Sequence, residues 1–293
     1  MPEAPWTILK LLRWTTAYFD ERGVAEPRAS AELLLAHVLS LDRLSLYLNY
    51  DRPLLPAELS EFKKCIKRRL RGEPVQYITG TQEFWSMLLH VSPDVLIPRP
   101  ETEVLVQTAL DHLHSTWPQE STFSILDVGT GSGAVAISLA RELSKARIVA
   151  LDVSFNALQL ARKNSLHQGV SGRLLLVCSD LLTSINKETA KFHLVVSNPP
   201  YIRSEELPLL PREISAHEPR SALDGGPDGL AVIRRIVAQA AEVLLPRGAL
   251  AVEIGADQAE GALQLVSADC RYNKVRVDKD YSGMDRILLA QVA

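Results

Sequence analysis

A primary amide, two prolines and an aromatic ring stand in succession at Asn198, Pro199, Pro200 and Tyr201, directly after the apolar, β-branched run of residues 192–196. Pro199 ends that run as a strand, because proline has no N–H to give to a sheet ladder. Asn198 offers a side-chain carbonyl acceptor. The proline pair stiffens the backbone so that at least one following carbonyl points into a pocket instead of back into a sheet. Two such acceptors hold both hydrogens of a planar –NH2 group. Tyr201 adds a flat apolar face to stack on it, with its hydroxyl expected to be free for solvent or a partner. The substrate these residues imply is a planar nitrogen nucleophile. An Asn-Pro pair alone is most often a strand-terminating turn; here it follows a buried strand and lies downstream of a glycine-rich loop.

That loop is Gly129-Thr130-Gly131-Ser132-Gly133. Its glycines let the backbone turn tightly and approach a ligand, next to a helix N-terminus that favours a negative group such as a carboxylate. Asp152 follows about 20 residues on, where an acid accepts from both hydroxyls of a ribose. Asp180 stands at the next strand end, placed either to accept from an adenine amino group or to cap the turn. The pairing of loop and acid fits an adenosine-containing ligand, dinucleotide or S-adenosyl-L-methionine. Two features favour the methyl donor: the GxGxG spacing in place of GxGxxG, and an amide-gripping loop where a dinucleotide fold would carry its second nucleotide site.

The elements that must position these residues follow an alternating pattern from residue 123. Strands are expected over 123–128, 147–151, 173–177, 192–196 and 248–254. Helices fall over 134–143, 156–168 and 229–245, with one more before a closing antiparallel hairpin at 274–277 and 286–290. This is an α/β fold, a doubly wound sheet with right-handed crossovers, whose active surface lies at the carboxyl ends of its strands. Pro98, Pro100, Glu101 and Glu103 precede a helix over 104–112, with acids suited to its first turn. Ahead of it, residues 6–72 repeat apolar positions at three- and four-residue spacing. They read as four or five short helices punctuated by Pro27, Asp42 and residues 51–56. The expected domains are a helical N-terminal domain, 1–73; a β-hairpin linker, 74–95, with a turn at Thr79-Gly80-Thr81; and a catalytic domain, 96–293.

The chain has 293 residues, 46% of them hydrophobic and 23% charged, and a net charge of −3. That balance exerts no global pull toward nucleic acid. Lys63, Lys64, Lys67, Arg68, Arg69 and Arg71 crowd one helix, either as a solvated face or as a contact for an acidic partner. Cys65, Cys178 and Cys270 show no metal-ligand spacing and are expected to be reduced structural thiols. No run approaches the roughly 18 apolar residues of a membrane span. A soluble, unprocessed, cytoplasmic monomer without a metal is expected.

Taken together, LDVGTGSG, ALD and SNPPYI resemble the class I methyltransferases that modify planar nitrogens. LIPRPETE at 96–103 and HEPRSALDGGPDGL at 217–230 narrow the resemblance, over nearly the whole chain, to the HemK/PrmC family of release-factor glutamine methyltransferases. The resemblance implies methyl transfer from S-adenosyl-L-methionine to the side-chain nitrogen of the glutamine in the Gly-Gly-Gln motif of class I peptide chain release factors. It assigns residues 129–133 to the methionine part of the cofactor, Asp152 to the ribose, and Asp180 with Leu181 to the adenine. Leu181 departs from the aromatic residue that some relatives carry there, which bears on stacking at that position and not on cofactor binding. Asn198 and Pro199 would accept the two amide hydrogens, and Pro200 and Tyr201 would line the glutamine site. The competing functions are an adenine-N6 DNA methyltransferase, which needs a sizeable basic recognition region, and a non-catalytic cofactor-binding module docking on a translation factor.

Overall fold

The computed structural model describes residues 5–293; the first four residues of the expected helical domain lie outside the described residues. Contacts divide the chain into two compact units, Met1–Thr81 with Pro211–His217, and Gln82–Leu210 with Glu218–Ala293. No helix among the described residues is long and apolar enough to cross a membrane.

The first unit is helical: α1 (Ile8–Asp20), α2 (Pro27–Leu39), α3 (Arg43–Leu48), α4 (Pro56–Leu70) and α5 (Val75–Thr79). Its starts are those the punctuation predicts. Pro27 and Pro56 occupy first-turn positions, and Asp42 caps α3 by accepting from the Ser45 N–H at 2.6 Å. Ile8, Phe19, Leu34, Leu35, Leu46 and Phe62 interlock as its core. A buried carboxylate, Glu32, sits beside that core. Burial alone would raise it, but hydrogen bonds from Tyr47, Arg28 and Arg43 hold it down at about 2. The basic run on α4 is not a uniform solvated face. Lys64 pairs with Glu61 and Arg68 with Glu73, while Arg69 is buried and pairs with Glu213 at 2.7 Å.

The hairpin consists of β1 (Thr81–Phe84) and β2 (Met87–His90). Its turn is at Trp85-Ser86, with φ of +50° and +53°, and not at Thr79-Gly80-Thr81; Gly80, at φ +76°, instead closes α5. A two-residue hairpin loop of type I′ needs left-handed φ at both central residues, normally signalled by Asn-Gly. Here tertiary contacts hold the conformation: the Trp85 N–H donates to Glu103, and its indole N–H donates to Glu142, each at 2.8 Å.

The second unit carries a seven-stranded sheet of β3 (Ser124–Val128), β4 (Arg147–Asp152), β5 (Leu174–Cys178), β6 (Phe192–Ser197), β7 (Leu244–Glu253), β8 (Tyr272–Lys279) and β9 (Asp285–Val292). The order is β5-β4-β3-β6-β7-β9-β8, parallel up to β7 and antiparallel beyond it. The associated helices are α6 (Thr102–Thr116), α7 (Ala134–Glu142), α8 (Phe155–His167), α10 (Ala231–Ala240) and α11 (Ala259–Ser267). A short α9 (Arg212–Ser215) lies in the segment that belongs to the helical unit. The strand period of two sends Ile125, Leu194 and Ala249 into one core with α6 and α7, and Leu126, Val195 and Leu250 into another with α10 and α11.

The helix expected over 104–112 runs on to Thr116, and one helix–strand junction is displaced. The helix expected over 229–245 ends at Ala240, and β7 begins at Leu244 instead of 248. Pro246 has no N–H to continue a helix, and pairing of Phe192 with Leu244 draws those leucines into the sheet. The three cysteines are free thiols, Cys65 buried and Cys178 and Cys270 exposed.

Candidate active site

The carboxyl ends of β3, β4, β5 and β6 open on a cavity of about 230 Å³. The glycine loop forms its floor. Gly129 and Gly131 have left-handed φ and open space where a Cβ would stand. Gly133 is required for packing instead: at φ +83° its Cβ would lie 2.9 Å from Ile137 Cδ1 and 3.2 Å from Ala161 Cβ. Asn164, fully buried, ties the loop to β2. Its Nδ2 donates to the carbonyls of Ser132 at 2.8 Å and His90 at 2.9 Å, and its Oδ1 accepts from the His90 N–H at 2.8 Å.

Two carboxylates face this floor. Asp152 accepts from the Gly131 N–H through Oδ2 and the Ser154 N–H through Oδ1, each at 2.8 Å. Each oxygen keeps lone-pair capacity for a further donor. Burial raises its pKa against the pull of those N–H groups. Asp127 is buried and accepts from the Thr130 hydroxyl at 2.7 Å; burial, with the Asp152 charge adding to it, pushes it up to about 7. Asp180 and Leu181 also line the cavity, Leu181 in the left-handed region at φ +50°. The Asp180 Oδ2 is engaged by Arg235 at 2.7 Å, a cavity residue that sequence reasoning did not single out.

Asn198, Pro199 and Pro200 form the opposite wall. They lie beyond the last ladder pairs of β6, Ser197 with Val128 and with Val252. Ser197 fastens the strand end by donating to the Val128 carbonyl at 2.7 Å. The Asn198 Nδ2 donates to Thr102 Oγ1 at 3.0 Å, and Thr102 donates onward to Glu253 Oε2 at 2.7 Å. Tyr201 departs from expectation. It is not among the cavity-lining residues, and its hydroxyl is not free: it donates to Glu253 Oε1 at 3.2 Å. Burial, with the Glu253 charge, raises the phenol pKa.

The loop after β6 shapes this wall from behind. The Ile202 N–H donates to the Leu223 carbonyl at 3.0 Å, the Gly225 N–H to the Ile202 carbonyl at 2.8 Å, and Gln258 Nε2 to the Tyr201 carbonyl at 2.8 Å. A Cβ on Gly225 would stand 2.7 Å from Tyr201 Cα, so glycine is needed for this approach. Glu218, nearly fully buried, bonds the Arg99 guanidinium, joining two segments whose neighbours Pro98, Pro219 and Ser221 all line the cavity. Both segments carry the family resemblance in the sequence, but nothing local to either signals this pair. Sequence reasoning also missed Thr102 and Glu253. An acid closing the apolar run of β7 was the available signal for Glu253.

The donor set fits an adenosine with a zwitterionic tail: backbone N–H groups and open glycines at the floor, and a half-buried carboxylate at the end of the second sheet strand. Fold and site together define a class I S-adenosylmethionine-dependent methyltransferase.

The family described as the methyltransferase small domain matches residues 102–212, and the PrmC N-terminal domain matches residues 10–80. Solved structures agree at the level of fold. The human Mettl16 catalytic domain has a TM-score of 0.54 at 16% identity, over 83% of this chain and 84% of that one. The Thermus thermophilus 16S rRNA methyltransferase RsmC has 0.51 at 19%, over 73% and 50%. Curated relatives are far nearer in sequence. The release factor glutamine methyltransferases of Geobacter sulfurreducens and Chlorobaculum tepidum are 42% and 43% identical, each over 98% of both chains. That of Moorella thermoacetica is 44% identical over 92% of both. The chain belongs to the release factor glutamine methyltransferase family.

Proposed function

We propose that this chain transfers a methyl group from S-adenosyl-L-methionine to the side-chain amide nitrogen of the glutamine in the Gly-Gly-Gln motif of class I peptide chain release factors. The observation that carries this is the juxtaposition, in one cavity, of the glycine floor with Asn198 and Pro199. Family membership over almost the full chain supports the same substrate.

When bound, S-adenosyl-L-methionine supplies a methyl group on a positively charged sulfonium, so no metal is needed to activate it. Residues 129–133 and Asp152 hold its methionine and ribose parts, and Asp180 with Leu181 borders the adenine. The glutamine nitrogen is a poor nucleophile because its lone pair is delocalised into the carbonyl. The task of Asn198 and Pro199 is therefore orientation: one acceptor for each N–H, leaving the nitrogen aimed at the methyl carbon. Prealignment of this kind contributes up to roughly 7–11 kcal/mol. As the nitrogen gains its new bond its remaining protons become strongly acidic, so a weak acceptor such as Asn198, the Pro199 carbonyl or water suffices. The helical N-terminal domain recognises the release factor, and the enzyme works as a cytoplasmic monomer without stable nucleic-acid binding.

The test is methyl incorporation into a purified release factor followed by mass spectrometry. The expected result is a gain of one methyl, lost when the motif glutamine is changed to alanine and lost again with Asn198→Ala enzyme. Methylation of duplex DNA in place of the release factor overturns the proposal.

A further inference from the structure

A primary amide is nearly symmetric in shape. A half-turn about the Asn198 Cβ–Cγ bond replaces an acceptor with two donors at the same place. Asn198 serves a substrate –NH2 only if Oδ1 faces it, and nothing in asparagine itself selects that orientation. We propose that Glu253 and Thr102 are positioning residues that select it, through a one-way hydrogen-bond relay ending on the Asn198 amide. This rests on Asn198 being an acceptor for the substrate amide.

Glu253 is the last residue of β7, 1% exposed, after a run from Gly248 that is buried throughout. A carboxylate there is costly to desolvate unless it is held. Its oxygens accept from Thr102 at 2.7 Å and Tyr201 at 3.2 Å, and the Arg286 guanidinium offsets its charge. Burial raises the Glu253 carboxyl, while Thr102, Arg286 and Tyr201 favour its charged form; as the carboxylate it accepts only, so the single hydroxyl proton of Thr102 is then committed to Glu253. Thr102 Oγ1 then has only lone pairs left for its other neighbour. Asn198 must meet it with Nδ2–H, as it does at 3.0 Å, and Oδ1 is left to the substrate side. Among the described residues no protein donor engages that oxygen. Tyr201 donates to the same carboxylate, so both ends of the Asn198–Tyr201 turn are referred to one buried charge.

Glu253→Gln keeps the shape and removes the direction. The glutamine amide can donate to Thr102, whose hydroxyl is then free to donate to Asn198 and turn its amide over, setting donor against donor at the substrate. Thr102→Val removes the relay outright, and Thr102→Ser restores the hydroxyl. The experiment is single-turnover methylation of the release factor with saturating S-adenosyl-L-methionine, alongside cofactor Kd. In Glu253→Gln and Thr102→Val the expected fall in rate is about tenfold to a hundredfold, with cofactor Kd within about twofold of wild type. Thr102→Ser is expected to recover most of the loss. Glu253→Gln added to Thr102→Val is expected to cost nothing further, because the relay is already cut, which two independent structural roles would not produce. Wild-type rates in both Glu253→Gln and Thr102→Val, with Asn198→Ala inactive, overturn the relay alone. A fully active Asn198→Ala overturns the reading of Asn198 beneath it. If Glu253→Gln fails to fold, the contrast between Thr102→Val and Thr102→Ser decides.

Discussion

Asp127 shows what burial does to a single group at the site. It lies under the glycine loop with the Asp152 charge nearby and is pushed up to about 7 from 3.8. A carboxyl whose folded pKa is raised contributes stability that is fully present below its unfolded pKa and is lost as pH rises through the folded value. Stability of the wild-type protein is therefore expected to fall between about pH 4 and pH 7, by at most about 1.4 kcal/mol per pH unit from this group. Asp127→Asn removes that component. Urea unfolding of both proteins at pH 5 and pH 8 checks it: an equal pH dependence in the two would show that Asp127 ionises normally. Asn198 illustrates the limit of residue-level reasoning. Its type and place after a buried strand were legible in the sequence, but the orientation of its amide depends on Thr102 and Glu253, which are 96 and 151 residues away from their partners along the chain.

Among the elements, the segment from Glu218 to Gly229 works as a brace for the Asn198–Tyr201 turn. Its turn-forming composition was plain, as was the family resemblance it carries, but composition does not say what a loop packs against. The contacts of Gly225 with the Tyr201 backbone do. Gly225→Ala is expected to displace the turn by about an ångström and to lower methyl transfer about a hundredfold, since misplacement on that scale forfeits part of the benefit of orientation. Cofactor affinity should change far less, because the glycine floor is held separately by Asn164. Isothermal titration with the cofactor beside a rate measurement separates the two; a parallel loss of both would mean that the brace supports the whole cavity. The turn at Trp85-Ser86 is a similar case. Local chemistry pointed to Thr79-Gly80-Thr81, and bonds to Glu103 and Glu142 settled the turn elsewhere.

At the scale of the whole molecule, the chain leaves the sheet unit at Leu210 and contributes Pro211–His217 to the helical unit before returning. Arg69 is the fastening within that helical unit. Its guanidinium pairs with Glu213 at 2.7 Å and donates to the carbonyls of Glu73 at 3.2 Å and Ala25 at 3.4 Å. Breaking a fully buried pair costs about 3–5 kcal/mol, but Glu213 keeps about a third of its side chain in water, so Arg69→Ala is expected to cost about 2 kcal/mol. A lower melting temperature with cofactor affinity unchanged is the expected result; no change in melting would remove Arg69 from the interactions that matter. The α/β class, the alternation of strands and helices, the glycine loop with Asp152, and the Asn198 turn are all written in the local sequence. These rest on periodicity and on residue types acting over a few neighbours. It takes the folded chain to show that Tyr201 turns its hydroxyl to Glu253, that Arg235 meets Asp180, that Glu218 joins Arg99, and that the Asn198 amide faces one way. Each of those is a pairing of polar groups distant along the chain, and local sequence carries no record of which buried donor meets which acceptor until the sheet brings them together.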